Sequence, residues 1–349
     1  MTVRLAFVTV GDAARLTGGY LYNRRLLEGL KENGAKVEVF VPCGADPRAQ
    51  AAAAPAFGNV FDPAPFDAVV VDALARVVVA PHLDRWRSGR PVVALVHELP
   101  GVADPAASDR ERPFEAPILR SDRIVAVSDH GKEVLLKRGA PAARVRVVPP
   151  GFDGLGRGLE RGLLREGPPR VLCVAQWIPR KGVLDLVRAW GTKDTPGAML
   201  DLVGETDADA PYATKVREAA SYDPSILVHG PVDDDTLAGL YASAYIFALP
   251  SRYEGYGIVY AEALSFGLPV VACTVGPVPE VVGDGTGLLV PAGDPEALSD
   301  ALDRLLSDAG LREKMSAAAL QRAAGLPRWR DTVDGFLAAL GEIVEERGR

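Results

Sequence analysis

The feature that most constrains this chain is a recurring alternation of short runs rich in Val, Ile and Leu with longer stretches of helical patterning. Continuous apolar runs of four to eight residues fit strands buried on both faces, and the helical stretches are long enough to carry the chain back to a parallel neighbour. The fold class is therefore α/β. A first series of strands is expected at Val3 to Val10, Lys36 to Val41, Asp67 to Val71, Val92 to His97, Arg123 to Val127 and Val145 to Val148. A second is expected at Val171 to Ala175, Met199 to Val203, Ile226 to His229, Tyr245 to Leu249, Val270 to Cys273 and Leu288 to Val290. Between them, Pro149 to Pro169 is rich in Gly, Arg and Pro and reads as a linker.

A chain of 349 residues is long for one hydrophobic core and comfortable for two. The expected division is a first Rossmann-like domain over 1–152, a linker over 153–169 and a second Rossmann-like domain over 170–328. Pro327 breaks the pattern before a final amphipathic segment, 329–349. Two such units are expected to face one another across a cleft, with ligands at the carboxyl ends of the strands.

Charge and cysteine content narrow the function. A formal charge of −7 argues against nucleic acid as a partner. Cys43, Cys173 and Cys273 are odd in number and lack a Cys-x-x-Cys pair, so they are expected as reduced core residues rather than disulfide or zinc ligands. No apolar run is long enough to cross a bilayer, and Met1 to Val10 reads as a buried strand rather than a signal peptide, so a cytoplasmic chain is expected. Peripheral contact with the inner membrane face stays open; Arg85-Trp86-Arg87 could rest on anionic lipid, though an ordinary exposed helix end explains it as well. Asp207-Ala208-Asp209 has the spacing of a divalent-metal motif, and Asp233-Asp234-Asp235 reads as a helix cap with first-turn acids; neither has a third ligand at an evident spacing, so no catalytic metal or other cofactor is expected.

The most informative segment is Leu249-Pro250-Ser251-Arg252-Tyr253-Glu254-Gly255-Tyr256-Gly257-Ile258-Val259-Tyr260-Ala261-Glu262. It follows an apolar strand and opens a helix. Gly255 and Gly257 allow a tight turn and close approach of a ligand, and the N–H groups from Gly257 to Tyr260, Ile258 and Val259 included, are expected to point into the cleft as an anion site. Glu254 and Glu262 offer carboxylate acceptors suited to sugar and ribose hydroxyls. Taken singly, Glu254 could merely complement the helix dipole and Glu262 could be a solvated helix residue.

This segment resembles the Glu-x7-Glu signature of the retaining GT-B glycosyltransferases of family four. Ser265-Phe266-Gly267-Leu268-Pro269-Val270-Val271-Ala272 and Pro279 to Val290 are similar to the segments that follow it there. The resemblance implies a retaining transfer of a sugar, a hexose by expectation, from a nucleotide-diphosphate sugar to an acceptor that the sequence does not identify. It assigns the first domain to the acceptor and the second to the donor, with the last helix packing back on the first domain. It puts Glu254 on the donor sugar and Glu262 on the ribose, with Tyr256 and Gly257 beside them. Upstream, Val174-Ala175-Gln176-Trp177-Ile178-Pro179-Arg180-Lys181-Gly182 stands where the family has a Gly-Arg pair and then Lys-Gly. Lys181 matches, Gln176 has lost a charge that the departing diphosphate would feel, and Arg180 is the candidate to compensate.

In the first half, Gly18 and Gly19 open a helical run after the first strand and occupy the place of the family's glycine-rich loop. Without a Gly-x-Gly-x-x-Gly fingerprint there, a dinucleotide dehydrogenase is disfavoured. His97, at a strand end, matches the family's histidine that looks toward the donor sugar; Glu98 follows it, and Ser128 and Pro149 to Asp153 read as structural landmarks. Gly204 and Glu205, after Met199 to Val203, are candidates for the donor pocket, and His229, Gly230 and Val232 for the neighbourhood of the base. His97, Lys181 and Glu254 are the catalytic candidates. Hinges are expected near Phe152 to Gly167 and Gly325 to Trp329. Two rivals remain: a nucleotide-sugar epimerase or hydrolase on the same fold, and a binding protein that holds a nucleotide sugar without turning it over.

Overall fold

The computed structural model describes residues 3–11, 17–44, 46–153, 167–192 and 195–348. The chain divides into two compact units, Met1–Gly151 together with Pro327–Arg349, and Phe152–Leu326. Most of the expected linker 153–169 and of the hinge Phe152 to Gly167 lies outside the described residues.

In the first unit, strands β1 (Arg4–Val8), β2 (Lys36–Phe40), β3 (Ala68–Asp72), β4 (Val92–Val96), β5 (Arg123–Ala126) and β6 (Val145–Val147) form one sheet in the order β2-β1-β3-β4-β5-β6. All its pairings are parallel. The burial pattern explains why the sequence reads as it does. The inner strands β3, β4 and β5 are buried along their whole length, whereas the edge strand β2 has only exposed and half-buried residues. The chain steps from β1 to β2 on one side and then to β3 on the other. That reversal leaves no crossover covering the carboxyl ends of β1 and β3, which is where an open parallel sheet receives ligands.

The second unit repeats the principle. Strands β7 (Arg170–Val174), β8 (Met199–Val203), β9 (Ile226–Gly230), β10 (Ile246–Leu249), β11 (Val270–Cys273) and β12 (Gly287–Val290) are ordered β12-β11-β10-β7-β8-β9. The reversal falls between β7 and β10. These two strands pair only at Val171 with Ile246 and Leu172 with Phe247, so their carboxyl ends part and open a crevice. The helix Val183–Trp190, buried along most of its length with Trp190 at its end, follows β7, and the buried helix Ile258–Ser265 follows β10.

The C-terminal helix, Trp329–Gly348, belongs to the first unit, where it packs on the helix Gly18–Glu32 and on β5. Phe336, Ala339, Leu340 and Ile343 are its buried face. Thr332 donates to the Pro149 carbonyl at 2.8 Å, and Glu342 bridges Arg123 at 3.0 Å and Arg146 at 2.8 Å. No helix among the described residues is long and apolar enough to cross a membrane.

Two expectations are corrected here. Trp86 is fully buried against Phe57 and Phe61, and Arg85 donates to the Gly58 carbonyl at 2.7 Å, so Arg85-Trp86-Arg87 does not present an indole for lipid contact. Cys43 is exposed rather than a core residue, while burial pushes the Cys173 thiol up to about 12 and Cys273 up to about 11. As expected, Asp233 caps the helix Asp234–Ser243 through the Thr236 N–H at 2.7 Å, and Asp209 is likewise a helix cap, accepting from the Tyr212 N–H at 3.0 Å.

Candidate active site

At the crevice between β7 and β10 the two following loops touch backbone to backbone. The turn Pro179–Lys181 ends at Gly182, whose φ of +68° suits glycine, and a Cβ there would strike the Pro250 carbonyl. Arg252 N–H donates to the Arg180 carbonyl at 2.7 Å. This seam delivers Lys181 to Glu254. The ammonium donates to both carboxylate oxygens, at 2.7 and 2.8 Å. Lys has three N–H donors, so one is left for a further acceptor.

Glu254 is almost fully buried. Burial pushes its carboxyl up, but the Lys181 and Arg180 charges outweigh this and hold it below the usual carboxylate range. Ser251, also buried, donates to its Oε1 at 2.6 Å. The Arg180 guanidinium reaches the Tyr253 carbonyl at 3.4 Å. Gln176 is turned elsewhere, its amide donating to the Glu205 carboxylate at 3.0 Å.

Gly257, at φ +93°, precedes the helix Ile258–Ser265. A Cβ there would come within 2.5 Å of the Tyr260 ring, so the glycine is required by an inward-packed tyrosine whose hydroxyl donates to the Leu249 carbonyl at 3.0 Å. The Tyr260 N–H is not free, contrary to expectation, because it donates to the Gly257 carbonyl at 3.0 Å in a tight first turn. Ile258 is buried, and Val259 and Tyr256 are half-buried against the core, burial pushing the Tyr256 phenol up to about 12. Glu262 is not a solvated helix residue. It is buried, accepts from the Tyr241 hydroxyl at 2.9 Å, and burial raises it to about 7.

Gly204 has φ +133°, and a Cβ there would strike the Ala175 carbonyl, so its requirement comes from the meeting of two chain segments. Its N–H donates to the Gly230 carbonyl at 2.9 Å. Gly230 has open space around it, and Val232 is half-buried against the core. His229 is committed to Asp201 at 2.7 Å, an oxygen it shares with Arg170.

At the β1/β3 reversal of the first unit, the helix Gly18–Glu32 starts at Gly18, which is exposed. A Cβ on Gly19 would meet the His97 ring at 3.4 Å. His97 Nε2 lies 3.0 Å from Asn23 Oδ1, and the Asn23 amide donates to the fully buried Asp72 at 2.6 Å. Tyr22 packs edge-on against His97 at 5.2 Å between ring centres. Ser128 is a helix cap, accepting from the Gly131 N–H at 2.9 Å.

Sequence reasoning missed Ser251, Tyr241, Asn23 and Asp72. Ser251 and Glu254 have the Ser-x-x-Glu spacing of a capping box, which was a usable signal. Asp72, a carboxylate ending a buried strand, was another. Among the described residues no group of three or more His, Cys, Asp and Glu side chains is placed to hold a metal ion.

Comparison with known proteins agrees with this architecture. Residues 159–322 match the family model described as glycosyl transferases group 1, and residues 17–153 that of glycosyltransferase family 4. D-inositol 3-phosphate glycosyltransferase of Nocardioides sp. is 31% identical over 79% of this chain and 66% of that protein. The enzyme of the same name from Mycobacterium tuberculosis strain H37Ra is 31% identical over 76% of this chain and 60% of that protein. The chain thus spans about two thirds or less of the length of these relatives. Among solved structures, sucrose-phosphate synthase from Thermosynechococcus elongatus superposes with a TM-score of 0.83 at 24% identity, covering 99% of this chain and 100% of that one. Anabaena Alr3699/HepE in complex with UDP and glucose gives 0.76 at 18% identity, covering 97% and 99%. The two units have the fold of the GT-B glycosyltransferases. Each unit matches a glycosyltransferase family model, family 4 in the first and group 1 in the second.

Proposed function

We propose that this chain transfers a hexose from a nucleoside-diphosphate sugar to an acceptor hydroxyl with retention of anomeric configuration. The observation that carries the reading is the Lys181–Glu254 pair at the β7/β10 reversal, with Glu262 one helix further along. A buried carboxylate held charged by a half-buried ammonium is an acceptor for sugar hydroxyls. The remaining Lys181 donor and the nearby Arg180 charge favour a departing diphosphate. Glu262, with one oxygen already taken by Tyr241, keeps the other for ribose. In the reaction the bond from the anomeric carbon to the diphosphate oxygen breaks and a bond to the acceptor oxygen forms, the acceptor's proton leaving with the diphosphate. His97, Gly18 and Gly19, at the β1/β3 reversal of the first unit, are proposed as substrate contacts of that unit. Because side-chain cations supply the charge, EDTA should leave turnover unchanged, and a loss of activity restored by Mg²⁺ would overturn the metal-free part of the reading.

The test is thermal stabilisation by UDP, GDP, ADP, TDP and NAD, in wild type and in Glu262→Ala. Saturation at one hundred times the dissociation constant adds about 2.7 kcal/mol. One nucleoside diphosphate should stabilise the wild type and lose most of its effect in the variant, whereas stabilisation by NAD alone would sink the proposal. A structure of the same fold is a complex with UDP-glucose, and the sequence relatives are named for D-inositol 3-phosphate. Those two compounds are therefore the first donor and acceptor to assay, with release of UDP and the configuration of the product as readouts. Glucose released in the absence of acceptor would instead favour a hydrolase.

A further inference from the structure

At the β1/β3 reversal a line of hydrogen bonds has a defined direction. Asp72 Oδ1 accepts from the Leu74 N–H at 2.9 Å. Its Oδ2 accepts from the Thr9 hydroxyl at 2.7 Å and from the Asn23 amide nitrogen at 2.6 Å. A carboxylate offers acceptors, so the Asn23 NH₂ must face Asp72 and its carbonyl must face the other way. That carbonyl lies 3.0 Å from His97 Nε2. An amide oxygen only accepts, so Nε2 carries the hydrogen and Nδ1 keeps its lone pair. Asp72 itself stays 3.9 Å from Nε2. Asn23 thus passes on the orientation imposed by the carboxylate while keeping its charge one residue away from the ring.

We propose that Asp72 and Asn23 are positioning residues that hold His97 as the neutral Nε2–H tautomer, presenting Nδ1 as an acceptor for a substrate hydroxyl. The identity of that hydroxyl as a sugar's rests on the glycosyltransferase reading above; the tautomer does not. The groups that face the ring agree with a neutral state. Burial pushes His97 below the usual histidine range against the opposing Asp72 and Glu98 charges, and the Tyr22 phenol beside it is itself pushed up by burial. In this arrangement His97 orients a hydroxyl and does not donate a proton to a leaving group.

The test is long-range ¹H–¹⁵N NMR of ¹⁵N-histidine-labelled protein, with the signal among the four histidines assigned by His97→Gln. The wild type should show the Nε2–H pattern for His97 and keep it at pH 6, where an ordinary histidine is largely protonated. Asn23→Asp puts a carboxylate beside the ring and should raise the His97 pKa. Asn23→Leu should give mixed tautomers and lower kcat about tenfold, with a smaller change in donor KM. An Nδ1–H wild-type tautomer overturns the proposal, and so does a tautomer unmoved in both variants. If Asn23→Leu does not fold, the wild-type and Asn23→Asp spectra decide. If no nucleotide sugar is turned over while the NMR pattern is as expected, the glycosyltransferase reading fails and the positioning network stands; turnover with an unmoved tautomer gives the reverse.

Discussion

Glu254 and Glu262 stand eight positions apart on one loop and helix, yet their surroundings push them in opposite directions. Glu254 is held charged by Lys181, and replacing the partner by Lys181→Met would strand a buried carboxylate. The expected cost is about 3–5 kcal/mol in urea unfolding of the second unit, with much of it recovered in Lys181→Met/Glu254→Gln, where no charge is left unpaired. Glu262 is raised from 4.5 to about 7. A carboxyl whose folded pKa lies above its unfolded value binds the proton more tightly when folded. Its contribution to stability is therefore full below pH 4.5 and is lost as the pH rises through about 7. Glu262→Gln should flatten this part of the stability profile, by on the order of 3 kcal/mol between pH 4.5 and 7. Under the proposed function, nucleotide affinity should rise over the same window, since ribose hydroxyls need the carboxylate as acceptor. Both glutamates and Lys181 could be picked out from sequence because they stand in dense local motifs. Tyr241 and Asn23 could not, since the carboxylates they serve lie 21 and 49 residues away in the chain and only the fold brings them near.

At the level of elements the parallel sheets were the most legible part, for a physical reason. A strand buried on both faces is apolar almost throughout, and Val270–Cys273 begins and ends where its sequence pattern does. Less legible were contacts between helices, which depend on single small residues. Gly29, inside the helix Gly18–Glu32, sits where the C-terminal helix crosses, and a Cβ there would run into Val333. Alanine would gain about 1 kcal/mol of helix propensity, but crowding a packed interface costs about 1–3 kcal/mol, so crowding should win. Gly29→Ala is expected to lower stability, and adding Val333→Ala, which clears the space, should reverse the sign of the first substitution. A double-mutant cycle by chemical denaturation decides, and additive effects would show that the two helices do not contend for that space.

For the molecule as a whole, the residues that complete the first unit are separated from it by the entire second unit. Removing residues 329–349 should strip amide protection from β5 and the helix Gly18–Glu32 in hydrogen exchange while leaving β7 to β12 protected. Equal loss in both units would mean that they unfold as one. This arrangement also governs the order of events during translation. Synthesis runs from the amino end, and domains form as units when their residues become available. The second unit is fully supplied once Leu326 has left the ribosome, whereas the first, begun earlier, still lacks the helix bearing Phe336, Leu340 and Ile343. The half made first is therefore completed last, and its uncovered apolar surface is the part of the nascent protein on which a chaperone has most reason to act.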